Sequence, residues 1–326
     1  MPDLNAPKAS PHPGLGYVPF VLMIAALQAA TALGIDSMLA NLPAIAHALG
    51  VARENDRQLV ITAYLIGFGA GQIVYGPLAD RYGRKPVIMG ALVLYVLFSA
   101  LAAFSPSFGW LIFARVLQGL GAAGARSLPT SVIRDCYAGR QMAKVMSLSF
   151  MVFMAVPMAA PSIGQAIALV ASWRWVFGFL AIYGAAVLAW VAVKLPETLH
   201  PEDRVPIRLG PITHSFGLAL RSRQGMGYAM ALTFVMGAVF GFVSSVQQVF
   251  EDALKARALF PIGFASVAGC IALSSLVNAS LVEKVGMRRL SHGALTAFIG
   301  VSAVHAAVAI EPKLPEMSPK PNIAPP

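Results

Sequence analysis

The chain has 326 residues, of which 57% are hydrophobic and only 12% charged, with a formal net charge of +10, whereas an ordinary soluble domain carries roughly 25% charged residues. That composition excludes a water-soluble globular fold, which has no means of covering so much apolar surface. The positive charge alone would fit a nucleic-acid binder, but the basic residues form no stripe with interleaved aromatics, so membrane lipid and not nucleic acid is the expected partner.

The apolar residues fall in blocks of about 20, the length a helix needs to cross a bilayer. Residues 1–17 are polar and proline-bearing and read as a disordered tail. The block after them is too long, and lacks an A-x-A-like end, for a cleaved signal peptide. In chain order the predicted spans are Val18–Met38, Leu59–Leu78, Val87–Phe104, Trp110–Thr130, Val145–Val170, Trp173–Val193, Met226–Phe250, Phe260–Val282 and Leu290–Ile310. The expected fold is an all-α integral membrane protein of about nine helices. Residues 18–193 form a complete N-terminal six-helix bundle, 194–225 a connecting loop, 226–310 a partial C-terminal bundle of three helices, and 311–326 a disordered Pro-rich tail.

The bases alternate by side. Alternate connections hold Arg81, Arg84 and Lys85, then Arg134, Arg140 and Lys144, then Lys194, Arg204, Arg208, Arg221 and Arg223, then Lys284, Arg288 and Arg289, with Lys8 in the tail. The opposite connections hold only Arg53, Arg57, Arg174, Lys255 and Arg257. This asymmetry predicts a cytoplasmic N-terminus.

An internal repeat links two connections. G-P-L-A-D-R-Y-G-R-K-P (Gly76 to Pro86) aligns with L-V-E-K-V-G-M-R-R (Leu281 to Arg289), pairing Asp80 with Glu283, Arg81 with Lys284, Gly83 with Gly286 and Lys85 with Arg288 at one offset, 283 − 80 = 203. Two parallel six-helix halves of that length would total roughly 400 residues, a known way of building transporters. By that arithmetic the chain is expected to be a shortened form lacking about three helices.

Ionisable residues inside spans are the strongest candidates for function, because an unpaired charge at mid-bilayer costs from about 3 kcal/mol upward. Asp36 and Arg115 are expected at similar depth. Two readings stay open: a pair whose carboxylate changes protonation as the site opens to either side, or an Asp36 that ends the first helix in wet headgroups. Arg126, nearer the other end of its helix, is expected to snorkel.

In the second-to-third helix connection Gly83 permits a tight turn and Pro86 suits the first helical position. Asp80 is expected to accept from the third helix's N-terminus and to pair with Arg84 or another base, a latch with Gly83, Arg84 and Lys85. Pro157, Pro161 and Gly164 interrupt the fifth helix and let another helix approach. Met146, Phe150, Phe153 and Met154 share a face there, either a soft lining for apolar ligands or ordinary core. Gly67, Gly69 and Gly71, with Gly119, Gly121 and Gly124, favour tight packing. Cys136 and Cys270 form no metal cluster or disulfide framework. The chain has no H-E-x-x-H, G-x-S-x-G or P-loop, which argues against an enzyme.

Several of these stretches together resemble the major facilitator superfamily, and within it the drug:proton antiporters of the bicyclomycin/chloramphenicol-resistance type. The similarity rests on Gly76 to Pro86, R-V-L-Q-G-L-G-A-A-G (Arg115 to Gly124), V-I-R-D-C-Y (Val132 to Tyr137), A-P-S-I-G (Ala160 to Gly164), S-W-R-W-V-F (Ser172 to Phe177) and L-P-E-T-L (Leu195 to Leu199), in that order. The resemblance implies a major facilitator fold in the bacterial inner membrane and multidrug efflux of small lipophilic drug-like substrates, driven by a proton gradient without a cofactor. It also implies that Asp36 and Arg115 couple the proton, that Asp80, Arg84 and Lys85 form the conformational latch, and that the fifth-helix stretch is the antiporter motif. Where the family tends to read D-M-Y-L-P, this chain has D-S-M-L-A (Asp36 to Ala40), and Gln165 replaces a family glycine. The competing expectation is a non-transporting membrane protein that lacks the last helices or needs a partner to supply them.

Overall fold

The computed structural model describes residues 15–206, 217–218, 220–250 and 287–310, with isolated residues between 259 and 274. Residues 1–269 form one compact unit and 270–326 another. Within the first, α1 is Tyr17–Asp36, α2 Leu42–Ala48, α3 Leu59–Tyr82, α4 Arg84–Ala103, α5 Phe108–Cys136, α6 Gly139–Val170, α7 Arg174–Lys194 and α8 Arg223–Gln248. The second contains α9, Met287–Ile310. Among the described residues five helical spans are long and apolar enough to cross a membrane. Helices lie at eight of the predicted spans, although α6, α8 and α9 are not among those five, and Phe260–Val282 lies largely outside the described residues.

The first span differs from its expected boundaries. It runs over 32 residues, Tyr17–Ala48, as α1, a turn, a 3₁₀ segment at Leu39–Asn41 and then α2. Pro43 has no N–H to return to residue 39, so one α-helix cannot run through this stretch. Side chains brace the break: Leu33 O, which already accepts from Ser37 N at 3.3 Å, takes a second bond from the Ser37 hydroxyl at 2.6 Å, and Asn41 Nδ2 donates to Ser37 O at 3.3 Å. Such repair is required where no water reaches the backbone.

α1 is the most enclosed of the five spans and packs against α5, α6 and α7. Three tyrosines on other helices donate to its carbonyls: Tyr64 to Thr31 at 3.3 Å, Tyr95 to Ala30 at 3.1 Å and Tyr183 to Ala26 at 2.8 Å. Burial of apolar side chains between helices gains little in lipid, so close approach through small residues carries the association. At Gly67 a β-carbon would run into the Val116 carbonyl, and at Gly119 into that of Tyr64, so α3 and α5 meet backbone to backbone. Gly69 faces away, with nothing within 4 Å of a β-carbon there, and takes no part in the seam. Outward faces carry Ile66, Ile73, Val93, Leu97, Phe113 and Ile182, all exposed, as lipid-facing surfaces require.

The start of the expected connecting loop is ordered. Leu195, Thr198 and Leu199 are buried, Pro201–Asp203 forms a 3₁₀ turn, and Val205 N donates to Asp80 O at 3.0 Å.

Candidate functional site

Asp36 is the last residue of α1, immediately before the break, and is only 6% exposed. It is therefore enclosed within a span that continues to Ala48, which corrects the reading of a carboxylate ending the helix in wet headgroups. Arg115 on α5 is fully buried. Its Nε donates to Val60 O at 3.0 Å and its Nη1 to Gln118 Oε1 at 2.7 Å, and Gln118 Nε2 in turn donates to Ser99 Oγ at 2.7 Å. No ion pair or hydrogen bond joins Asp36 to Arg115 in this conformation, so the expected direct pair is not made. The guanidinium instead lies 4.3 Å over the Tyr64 ring, a cation–π contact strengthened by desolvation. Tyr64 is within electrostatic reach of both Asp36 and Arg115, and its hydroxyl lies 2.7 Å from where a Gly34 β-carbon would be. Arg115 Nη2 is buried without a hydrogen-bond partner, so this guanidinium retains an open donor.

On α6, Gly164 closes on the break that follows Asp36. Pro157 and Pro161 lie inside α6. Gly164 sits against the Ser37 backbone, where a β-carbon would strike the carbonyl, and its own carbonyl accepts from Asn41 Nδ2 at 3.1 Å. The helix approaching this notch is thus the unwound part of the first span. Met146 is half-buried in the apolar cluster around Phe20, Met23 and Ile24, which is a core environment. The side chains of Phe150, Phe153 and Met154 lie outside the described residues.

The residues expected to form a latch gather at the end of the bundle where α1 starts, because Tyr17 and Phe20 pack on Tyr137 just after α5. Arg84 is its centre, with Nη1 2.6 Å from Asp80 Oδ1 and Nε 3.2 Å from Asp135 Oδ2. The expected acceptor for the N-terminus of α4 was Asp80. That role falls to Glu197, whose Oε1 accepts from Arg84 N at 2.8 Å and from Thr198 N and Leu199 N at 3.0 Å each. Thr198 Oγ1 donates to Asp135 Oδ2 at 3.0 Å and Lys85 Nζ to Ala192 O at 2.9 Å. Gly83 takes φ 102°, open to glycine at little cost, and a β-carbon there would collide with the Glu197 carboxylate. Pro86 is the third residue of α4, still within the first turn whose N–H groups need no helical partner. Of the repeat's second copy, Glu283, Lys284 and Gly286 lie outside the described residues.

Sequence reasoning missed Tyr64, Gln118, Asp135 and Glu197 as partners. Gln118 was within reach of it, three residues after Arg115 on one helical face. Asp135 and Glu197 lie in stretches quoted for the resemblance, but spacing alone does not bring residues 51 and 113 positions from Arg84 beside it. Arg126 is half-buried and its Nη1 donates to Gln28 Oε1 on α1 at 3.4 Å.

A bundle of apolar helices, five of whose described spans are long and apolar enough to cross a membrane, is that of a multi-pass membrane protein. The sequence profile of the Major Facilitator Superfamily matches residues 22–313, and the chain belongs to that family, whose members are transporters and not enzymes. It is 36% identical over 222 residues to the MFS-type transporter YdgK of Bacillus subtilis, a match covering 68% of this chain and 55% of that protein. It is 30% identical over 278 residues to a bicyclomycin resistance protein homolog of Haemophilus influenzae, covering 85% of this chain and 69% of that one. The chain therefore spans a little over half the length of the first relative. The fold matches the xylose transporter XylE from E. coli with a TM-score of 0.60 at 15% identity, over 84% of this chain and 73% of that one.

Proposed function

We propose that this chain carries out proton-coupled efflux of small lipophilic, drug-like molecules across the bacterial inner membrane, by alternating access and with its N-terminus in the cytoplasm. The observation that carries the reading is the enclosure of Asp36 at the break in the first span, with Tyr64 between its surroundings and Arg115. A carboxyl group in such a place is neutral with a proton and needs a counter-charge without one. Arg115, with its open Nη2, supplies that counter-charge once the Tyr64 ring moves. Proton release and rearrangement of α1 against α5 are thereby one event, which is what coupling to a proton gradient requires. The energy source is the gradient, and no cofactor takes part. The Lys/Arg asymmetry supports the orientation, and the relative named for bicyclomycin resistance supports the drug-like substrate.

The test is bicyclomycin accumulation in efflux-deficient bacteria expressing the full chain. The wild type lowers accumulation, a protonophore restores it, and Asp36→Asn fails to lower it. Lowered accumulation that survives the protonophore or Asp36→Asn overturns the proton-coupled reading, and no lowering by the wild type overturns efflux of this drug.

A further inference from the structure

Arg84 divides its guanidinium between two acids on different helices, with Nη1 2.6 Å from Asp80 Oδ1 on α3 and Nε 3.2 Å from Asp135 Oδ2 on α5. Each contact is made at one point, and neither has the parallel two-bond geometry that fixes an arginine against a carboxylate. The Asp80 side chain is also 50% exposed, and an exposed i,i+4 pair shifts an equilibrium by only about twofold. The two ion pairs by themselves therefore leave the relative placement of the acids and the guanidinium loosely set.

The segment after α7 supplies what they lack. It bonds to all three residues: Glu197 Oε1 accepts from Arg84 N at 2.8 Å, Val205 N donates to Asp80 O at 3.0 Å, and Thr198 Oγ1 donates to Asp135 Oδ2 at 3.0 Å. Of these bonds, only that of Thr198 acts on a carboxylate that pairs with Arg84. Thr198 is 3% exposed, and its hydroxyl meets the same oxygen that takes the Arg84 donor. Glu197 shapes the segment for this contact. Its Oε1 also accepts from Thr198 N and Leu199 N at 3.0 Å each, folding the chain back on the carboxylate, and Gly83 admits that carboxylate because a β-carbon there would collide with it.

We propose that Thr198 is a positioning residue for the latch. Its hydroxyl orients the Asp135 carboxylate so that one guanidinium joins α3, α4 and α5 at this end, and docking of the segment from Leu195 to Val205 thereby sets the balance between the two access states. A hydroxyl suits this task because it donates to the carboxylate without neutralising it, which leaves the charge for Arg84. The start of the connection after α7 is thus a working part of the conformational machinery and not a passive tether. That role rests on the alternating-access reading for the meaning of the balance it shifts, but neither drug nor proton gradient enters its test.

The experiment is spin-label distance measurement on the full chain in nanodiscs, with Cys270→Ser and with Cys136 retained because it is buried. Label pairs at exposed positions, Val193 with Tyr228 and Phe104 with Val249, report the populations. Thr198→Val keeps the branched shape without the hydroxyl and should change the ratio of the two populations at least about threefold. Thr198→Ser returns the donor and should restore the wild-type ratio, which loss of packing alone would not predict. Asp135→Asn should shift the ratio as Thr198→Val does, and the double variant no further, because the two act through one carboxylate. An unchanged ratio in Thr198→Val where Asp135→Asn shifts it, additive effects in the double variant, or no restoration by Thr198→Ser overturns the proposal alone. One population in every variant, Asp135→Asn included, overturns alternating access at this end and the proposal with it. Should Thr198→Val fail to fold, Thr198→Ala against Thr198→Ser decides by the same ratio.

Discussion

Asn41 donates its Nδ2 to the carbonyl of Gly164, 3.1 Å away and 123 residues along the chain. The bond ties the irregular stretch that follows Asp36 to the point on α6 where the absence of a side chain lets the Ser37 backbone come close. The break in the first span is therefore held from outside as well as by its own side chains. An unwound segment inside a membrane persists only where protein satisfies its backbone.

The first expectation concerns that contact. Gly164→Ala places a β-carbon against the Ser37 carbonyl and should destabilise the fold by about 1–3 kcal/mol, because backbone cannot yield as a flexible side chain does. Gly69→Ala, with nothing within 4 Å, should leave stability unchanged or raise it by up to about 1 kcal/mol, since alanine is the better helix former. Thermal unfolding of both variants in one detergent checks the contrast. Equal behaviour of the two would remove the structural meaning given to Gly164.

A second expectation follows from Glu197, a single carboxylate oxygen accepting three backbone N–H groups. Glu197→Ala leaves those donors unpaired and should release the segment from Leu195 to Val205. Hydrogen exchange of residues 195–205 should rise at least about tenfold while α3 and α5 stay protected. Asp80→Asn keeps Glu197 and should leave that segment protected, yet shift inside versus outside cysteine accessibility if the Asp80–Arg84 pair biases one state. Protection lost equally in both variants would mean the pair and the strap are one unit.

Gln118 allows the arginine network to be probed without removing its charge. It bridges Arg115 and Ser99 through two bonds of 2.7 Å, so Gln118→Ala orphans a buried guanidinium donor, while the Ser99 hydroxyl keeps its bond to Tyr95 O at 2.6 Å. The expected cost is about 1–3 kcal/mol, seen as a lower unfolding midpoint, and Gln118→Glu should restore the acceptor and recover part of it. A neutral Gln118→Ala would show that Val60 and Tyr64 suffice to hold Arg115.

Topology can be read at sites that the structure groups by end. Arg174 Nη1 donates to the carbonyls of Ala103 and Ser105 at 3.3 and 2.9 Å, so the end of α4 and the start of α7 share one side. Reporters fused after Ser105 and after Ser172 should report the periplasm, and those after Tyr137 and Lys194 the cytoplasm. Opposite labelling would reverse the proposed direction of the N-terminus.

The amino-acid sequence by itself determined the membrane class, the approximate place of the described helices and the family, because block hydrophobicity and the positions of Lys, Arg, Gly and Pro are local properties of the chain. It also singled out Asp36, Arg115 and the Asp80 to Lys85 turn, because a charge within an apolar run is rare for energetic reasons that need no structure. Partners were decided only by the tertiary fold. Tyr64 stands under Arg115 because α3 and α5 close on glycines, Glu197 rather than Asp80 caps α4 because Gly83 leaves room for its carboxylate, and Arg126 turns to Gln28 because α1 lies inside the bundle. Helical periodicity states which residues share a face; which helix that face meets depends on contacts between segments tens of residues apart, and no local pattern carries that information.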